Sequence, residues 1–219
     1  MKKTWLIIIA LTGLSAFAQT NQVAPGAAEN FQSLLNNPGF FLPTTPAAMG
    51  RNWFRMETDT HMFTDEVSIR QVIAVLLDLE NQTQYFNGKK NKLSTTVVQY
   101  NAGETIVDIV SITPALGLQI KTPYGASVKV LENSGNSFYV EIRQLAADSD
   151  SNKNIKNCIT TRYASEVTID GKTYTYIRFY VSSEVNASIL PGARGILASS
   201  SDAANAEALQ LIVSAAKTK

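Results

Sequence analysis

A strand-like stretch near the C-terminus carries the side chains best suited to chemistry. Alternate residues of a strand point to opposite faces. Along residues 173–182 one face carries Tyr174, Tyr176, Arg178, Tyr180 and Ser182, and the other carries Thr175, Ile177, Phe179 and Val181. Neither face is plainly polar, so the strand could line a partly polar cavity, which makes Tyr176, Arg178 and Tyr180 candidates for lining it. The strand could equally be covered on both sides, or this row could be an outer face of long amphipathic side chains.

Other reactive residues lack the partners that catalysis or metal binding requires. His61 is the only histidine and lies in a strand pattern, so a structural or exposed role is favoured. Cys158 is the only cysteine and is expected to be a small buried residue at a strand start. Residues 148–152 (DSDSN) begin like a calcium loop, but Lys153 and Ile159 stand where the loop needs Gly and Glu.

Motifs for catalysis and for cofactors are equally weak. Residues 214–217 (SAAK) have the spacing of some acylating enzymes but end a helix, where no oxyanion hole is expected. There is no phosphate-binding glycine loop and no dinucleotide fingerprint. The sequence therefore predicts no catalytic residue, no metal site and no cofactor.

Composition indicates one globular domain with a tail. The chain has 219 residues, of which 45% are hydrophobic and 17% charged. The formal net charge is +1, and the densest basic cluster, residues 88–92 (GKKNK), is typical of a solvated loop. A nucleic-acid surface would need more charge and interleaved aromatic residues, so nucleic acid is not a predicted partner.

The N-terminus has the pattern of a signal peptide. Lys2 and Lys3 precede an apolar run over residues 5–14, and residues 16–18 (AFA) match a signal-peptidase site. The run is too short to span a bilayer comfortably. Residues 1–18 are therefore predicted to be removed after Ala18, which gives an exported, periplasmic or secreted, protein that begins at Gln19. Without the two lysines the net charge becomes −1.

Residues 19–52 are predicted to form an irregular extension outside the sheet, since Pro, Gly and Asn recur throughout. Phe31, Phe40, Phe41 and Trp53 could anchor this segment on the domain, which is assigned to residues 53–219. A flexible spacer is the alternative.

Regular elements are predicted from residue 54 onward. A strand over residues 54–64 is followed by Ser68 as an N-cap and by an apolar stripe that ends near Asn81. A second short helical turn then places Tyr85 and Phe86 inward and stops at Gly88. Strands follow at residues 92–100, 105–113, 118–121, 126–132, 137–146, 158–169 and 173–185, with Asp170-Gly171 as a hairpin turn.

The last element is a long helix over residues 196–217. Leu197, Ala204, Ala208, Leu211 and Ala215 lie roughly on one face, which is small at its centre. Alanine at mid-helix permits either close packing on the sheet or space for a ligand. Leu197, Ala204, Ala208 and Leu211 are therefore candidate cavity-lining residues.

This order of elements resembles the START-like, helix-grip superfamily of lipid-transfer domains and polyketide cyclase-like proteins. Residues 67–86 (VSIRQVIAVLLDLENQTQYF) are similar to the family's first helix, in which an Asp, here Asp78, precedes an aromatic residue. Residues 171–197 (GKTYTYIRFYVSSEVNASILPGARGIL) are similar to the last strand, which runs through a Pro, here Pro191, into the final helix. The family often has Trp where this chain has Tyr85-Phe86.

The resemblance covers residues 54–217 and implies an α+β fold. A curved antiparallel sheet grips a long C-terminal helix, two short helices follow the first strand, and a cavity lies between sheet and helix. It also implies a binding or transport protein for a hydrophobic or amphipathic small molecule, such as a lipid, sterol or quinone, and the signal-peptide pattern predicts that this protein is exported. Transient membrane contact stays open, and the oligomeric state is not predicted.

Two alternatives remain at the level of sequence. A cyclase or dehydratase-type enzyme would need an acid/base pair in the cavity, with Arg178 and a nearby Tyr or Glu as candidates. A surface interaction protein would have a collapsed cavity. A void of roughly several hundred Å³ would favour binding, and a filled core would favour the interaction protein.

Overall fold

The computed structural model describes residues 23–24, 26–40, 44, 46–50, 52–115, 118–186 and 193–219. The predicted signal peptide, Phe41 and Pro191 lie outside these residues. Within these residues, eight strands form one antiparallel sheet: β1 (Ala47–Gly50), β2 (Trp53–Thr64), β3 (Lys92–Asn101), β4 (Glu104–Ala115), β5 (Leu118–Asn133), β6 (Ser137–Gln144), β7 (Ile155–Ile169) and β8 (Lys172–Asn186). Their spatial order is β1-β2-β8-β7-β6-β5-β4-β3.

The helices are α1 (Phe31–Leu34), α2 (Ile69–Leu77), α3 (Gln82–Tyr85), α4 (Ala146–Ser151) and α5 (Ala193–Ala216), with a 3₁₀ turn at Leu79–Asn81. Helices α2 and α5 pack on one face of the sheet and enclose the main apolar core with it. This confirms the predicted α+β class, with a curved sheet gripping the C-terminal helix. Among the described residues, no helix has the length and hydropathy needed to cross a membrane.

The start of α2 follows its local sequence closely. The Ser68 hydroxyl accepts a hydrogen bond from the Gln71 backbone N–H, and the Gln71 side chain accepts one from the Ser68 backbone N–H. This reciprocal capping box satisfies two otherwise unpaired donors. The helix ends at Leu77, four residues earlier than predicted, because Asp78 leaves the helical conformation and the chain continues as the 3₁₀ turn and α3.

Asp78 fixes the turn that follows α2. Its carboxylate accepts hydrogen bonds from the Tyr85 hydroxyl at 2.5 Å, the Asn81 amide at 2.8 Å and the Lys219 ammonium at 2.9 Å. The bond from Tyr85 and that from Lys219 lower the pKa of Asp78 to about 2. Phe86 is buried in the main core, while Tyr85 is half-buried against it. The aromatic pair thus closes the passage from helix to sheet, as predicted.

Strand β5 is one continuous strand, although the sequence predicted two pieces separated by residues 122–125. Pro123 pairs with Val110 of β4, but β6 pairs with β5 only from Ala126 onward. Pro123 therefore lies at a free edge of the strand, where proline's missing N–H costs no ladder bond. The Asn152 side chain donates to the Pro123 carbonyl at 2.8 Å and covers this edge.

The segment before β2 differs from the prediction that residues 19–52 lie outside the sheet. Strand β1 pairs with β2, and Gly39 exchanges backbone hydrogen bonds with His61. Phe31 is an anchor, as predicted, and is 8% exposed, whereas Phe40 is 38% exposed. The sequence carries no strand pattern at residues 47–50, because their pairing depends on β2 and not on local alternation.

Candidate functional site

A cavity of about 220 Å³ lies between the concave face of the sheet and the first half of α5. Most of its wall is apolar. The apolar lining residues are Met56, Phe86, Leu93, Ile109, Ile120, Ile142, Ile155, Phe179, Val181, Val185, Leu197, Ala204 and Ala208. The polar and weakly polar ones are Asn91, Ser111, Thr122, Tyr124, Asn154, Cys158, Thr160, Arg162, Ser183, Asn186, Ser200, Ser201 and Asn205.

The position of the cavity follows from the two halves of α5. The second half buries large side chains, Leu209, Ile212 and Val213, in the main core. The first half faces the sheet with small ones, which include Ser200, Ser201 and Ala204. Large side chains fill the space near α2, and small ones leave it empty toward the start of the helix.

The predicted residues on α5 divide accordingly. Leu197, Ala204 and Ala208 lie in the cavity wall. Leu211 does not, and instead packs half-buried against the main core. Ala208 is 2% exposed and belongs also to that core, so Ala204 is the alanine that faces open space most directly.

The predicted residues on β8 do not line the cavity, and this prediction is wrong. The row that faces the cavity is the alternate one, Phe179, Val181, Ser183 and Val185. Tyr176, Arg178 and Tyr180 lie on the opposite, outer face. Strand β8 is covered on both sides around Tyr176, which was one of the open alternatives, so apolar character could not tell its two faces apart.

An outer cluster covers that opposite face. Its buried members are Ala27, Phe31, Leu34, Phe63, Tyr139, Tyr163 and Tyr176. The Tyr176 hydroxyl accepts a hydrogen bond from the Ala24 backbone N–H at 3.3 Å and lies 2.7 Å from Nδ1 of His61. These contacts give His61 the structural role predicted for it.

Arg178 is also committed to the outer face. Its Nε and Nη2 atoms donate to the two carboxylate oxygens of Asp59 at 2.8 and 2.7 Å. Burial raises the pKa of Asp59, but the contacts with His61 and Arg178 outweigh it and lower that pKa. Arg178 therefore completes an ion pair on the outer face and does not reach the cavity.

The charged group in the cavity wall is Arg162 of β7, which sequence reasoning missed. Arg162 is 5% exposed. Its Nη1 atom donates to Oε1 of Gln82 at 2.9 Å, and its Cζ lies 4.8 Å from the centre of the Phe86 ring and 5.2 Å from that of Phe179. Burial lowers the pKa of Arg162 to about 10, so the guanidinium remains charged at neutral pH.

Tyr124 and Cys158 form a second polar group in the wall. Burial raises the pKa of Cys158 to about 11, against the opposing effect of hydrogen bonds with Tyr124 and Thr160. Burial, together with the neighbouring Cys158, raises the pKa of Tyr124 well above its usual value. Both groups are protonated at neutral pH. Cys158 is buried, as predicted.

Asn205 of α5 adds an unsatisfied amide to the same wall. It is 8% exposed, and its Nδ2 atom is buried with no hydrogen-bond partner in the described part of the chain. A buried donor without a partner costs about 1–3 kcal/mol. An acceptor supplied by a ligand would remove that cost.

Glu207 fastens the loop before β3 to α5. Its carboxylate accepts hydrogen bonds from the backbone N–H groups of Lys89, Lys90 and Asn91 at 3.0, 2.6 and 2.6 Å. Burial raises the pKa of Glu207, but these donors outweigh it and lower that pKa. A Cβ at Gly88 would overlap the Glu207 carboxylate, so a larger residue there would displace the carboxylate from this position. The clasp holds Asn91 in the cavity wall.

The signal for Arg162 was present in the sequence as the alternation of β7. Cys158, Thr160 and Arg162 share the cavity face of that strand. A charged residue in a strand is normally expected to face solvent, and the sequence does not show that a helix covers this row. Among the described residues, no cluster of three or more His, Cys, Asp or Glu side chains could hold a metal ion.

No family model and no curated protein matches the sequence. Solved structures match the fold. The TTHA0849 protein from Thermus thermophilus superposes with a TM-score of 0.54 at 13% identity, over 74% of this chain and 97% of that one. Human STARD10 superposes with a TM-score of 0.52 at 10% identity, over 80% of this chain and 73% of that one. The Zhui aromatase/cyclase from Streptomyces sp. R1128 superposes with a TM-score of 0.51 at 12% identity, over 74% of this chain and 93% of that one. The chain therefore has the START-like, helix-grip fold.

Proposed function

We propose that the protein binds a small hydrophobic or amphipathic molecule in the cavity between the sheet and α5. The observation that carries the proposal is the cavity itself, a void of about 220 Å³ whose wall is apolar over most of its area and also carries polar groups. Ligand sites typically have this composition. The fold alone would not justify the proposal, since one fold hosts many functions.

The volume limits the size of the ligand. Typical ligand pockets measure roughly 300–1,000 Å³, and an apolar cavity of roughly 150 Å³ holds benzene. A cavity of about 220 Å³ therefore suits a molecule of about ten non-hydrogen atoms. Within the predicted classes, a single ring of quinone-like size fits best. A whole sterol or phospholipid would require the cavity to expand.

The cavity chemistry favours binding over acid–base catalysis. Arg178, the sequence candidate for an enzyme's acid/base pair, is paired with Asp59 on the outer face. Tyr124 and Cys158 are protonated at neutral pH because their pKa values are raised. A general base works best when its pKa lies near the operating pH. The collapsed-cavity alternative is disfavoured by the volume.

Calorimetric titration with naphthalene, a neutral apolar probe of suitable size, tests the proposal. Saturable binding at one site is expected, because the walls are apolar. A protein that binds neither naphthalene nor any co-purifying molecule, the latter checked by native mass spectrometry after purification from its own host, would overturn it.

We further propose that the protein acts outside the cytoplasm, because residues 1–18 have the pattern of a cleaved signal peptide. The intact mass of the exported protein should correspond to a chain beginning at Gln19. A mass that retains residues 1–18 would contradict this. Transient membrane contact stays a prediction, which co-sedimentation with vesicles tests.

A further inference from the structure

We propose that the ligand is an apolar carboxylic acid whose carboxylate docks on the unoccupied edge of Arg162. The inference rests on the proposed function and names the chemical class of its ligand. It concerns the edge formed by the Nε and Nη2 atoms, the pair with which arginine binds a carboxylate through two parallel hydrogen bonds.

Two other arginines of this chain show that edge occupied. Arg178 uses Nε and Nη2 to bind Asp59 at 2.8 and 2.7 Å. Arg143 of β6, the strand next to that of Arg162, uses the same two atoms to bind the carboxylate of Glu141 at 3.0 Å each. In both, a protein carboxylate completes the fork. These pairs define the geometry that an arginine adopts in this protein when its partner is present.

Arg162 is the most buried of the three and lacks that partner. Its Nη1 atom donates to the neutral Gln82 side chain, while Nε is buried with no hydrogen-bond partner in the described part of the chain. Nη2 makes no hydrogen bond to a described residue, and no carboxylate of the described residues forms an ion pair with the guanidinium. Aromatic rings stabilise the cation only partly, so a buried positive charge remains uncompensated.

The other polar groups of the wall favour the same ligand. Nδ2 of Asn205 is a second buried donor without a partner in the described chain. Tyr124 and Cys158 both keep their protons at neutral pH, so neither adds a negative charge that would repel an anion. A wall that supplies donors and one cation, but no anion among the described lining residues, complements an acceptor that carries negative charge.

The apolar part of the cavity wall indicates the chemical character of the rest of the ligand. The Phe86 and Phe179 rings lie beside Arg162, and Ile109 and Ile142 also line the cavity. With about 220 Å³ available, the carboxylate leaves room for one ring or a short branched chain. A free inorganic or formate anion could also pair with Arg162 but would leave the apolar walls unfilled.

Calorimetric titration with matched compounds separates these possibilities. 3-Phenylpropanoate, its neutral amide 3-phenylpropanamide, and sodium formate are titrated into the wild-type protein at neutral pH. The acid is expected to bind at least roughly 30-fold more tightly than the amide, because it alone completes the arginine fork. Equal affinity of acid and amide would overturn the inference. Saturable formate binding as tight as that of the acid would overturn the apolar-acid assignment.

Arginine substitutions test whether the preference for the acid over the amide depends on Arg162. Arg162→Met should remove the preference for the acid while naphthalene binding persists, and Arg143→Met should leave the preference intact. Arg162→Lys keeps the charge but loses the planar fork, so its preference should fall to an intermediate value. Preserved preference in Arg162→Met would overturn the inference. If Arg162→Met does not fold, as judged by circular dichroism, the inference is still tested by Arg162→Lys and by the comparison of acid with amide in the wild-type protein.

The outcomes distinguish the two proposals. Naphthalene binding without a preference for the acid would refute the role of Arg162 and leave the proposed function standing. Failure of the acid, the amide and naphthalene to bind would refute the proposed function itself.

Discussion

The alanine at the centre of the cavity wall permits a direct test of whether the cavity is functional space or a packing defect. Ala204 lies on α5 with its half-buried side chain toward the void. In Ala204→Phe the added ring should occupy most of the cavity, because a void of roughly 150 Å³ accommodates benzene and this one measures about 220 Å³. The remaining volume would not hold a second ring.

The effect on stability can be worked from that volume. Empty apolar volume costs about 24 cal/mol per Å³, so filling roughly 150 Å³ could stabilise the fold by up to about 3–4 kcal/mol. Phenylalanine costs about 0.5 kcal/mol more than alanine in a helix, and imperfect fit reduces the gain further. A net gain of about 1–2 kcal/mol is expected, which raises Tm by roughly 2–8 °C.

Ala204→Phe is expected to destabilise the protein instead if Ala204 serves close packing of α5 on the sheet. Overpacking a filled core lowers the free energy of unfolding by about 1–3 kcal/mol. Thermal and urea unfolding of wild type, Ala204→Phe and the control Ala206→Phe would be compared, together with naphthalene binding. Ala206 is half-buried on the same helix but is not part of the lining. A destabilised Ala204→Phe that still binds naphthalene would refute the reasoning.

Two further predictions concern the elements that support the cavity. Phe31→Ala should lower the free energy of unfolding by about 3–5 kcal/mol, because Phe31 is buried in the outer cluster. Phe40→Ala, at an exposed position, should change it by less than about 0.5 kcal/mol. Equal effects of the two substitutions in urea unfolding would contradict the role of Phe31 as an anchor. Glu207→Gln should cost about 1–2 kcal/mol at neutral pH, with exposed Glu29→Gln as control. Since folding lowers the pKa of Glu207, its contribution is fully present above the unfolded pKa and is lost as the pH falls through the folded value. The difference in free energy of unfolding between Glu207→Gln and wild type should therefore shrink below the unfolded pKa and vanish at a pH where the carboxyl is protonated in both states. A difference that persists there would show that the carboxylate charge is not what holds the loop.

Local signals made much of the fold predictable. Ser68 begins α2 with a capping box, and such caps are encoded within four residues. Asp170 and Gly171 both have positive φ, 51° and 77°, as the hairpin turn predicted from this pair requires. The long final helix followed from a run without Pro or Gly over residues 196–217, although α5 begins three residues earlier, at Ala193.

Features that depend on distant partners were not predictable. Strand alternation separates two rows on β8 but cannot say which row faces α5 when both faces are covered. Phe179 faces the cavity and Arg178 faces the outer cluster for that reason. Arg162 escaped notice because a charged residue in a strand normally faces water, and only packing of α5 and α3 buries it. Strand β1 exists only through its pairing with β2.

The central claim is that a small molecule occupies this cavity, and methyl-detected NMR tests it most directly. Titration of naphthalene and of 3-phenylpropanoate into methyl-labelled protein should shift the methyl signals of Ile109, Ile142 and Val181, which line the cavity. The methyls of exposed Val130 and Leu131 should stay unchanged. Shifts confined to Val130 and Leu131, or no shift at saturating ligand, would contradict the account.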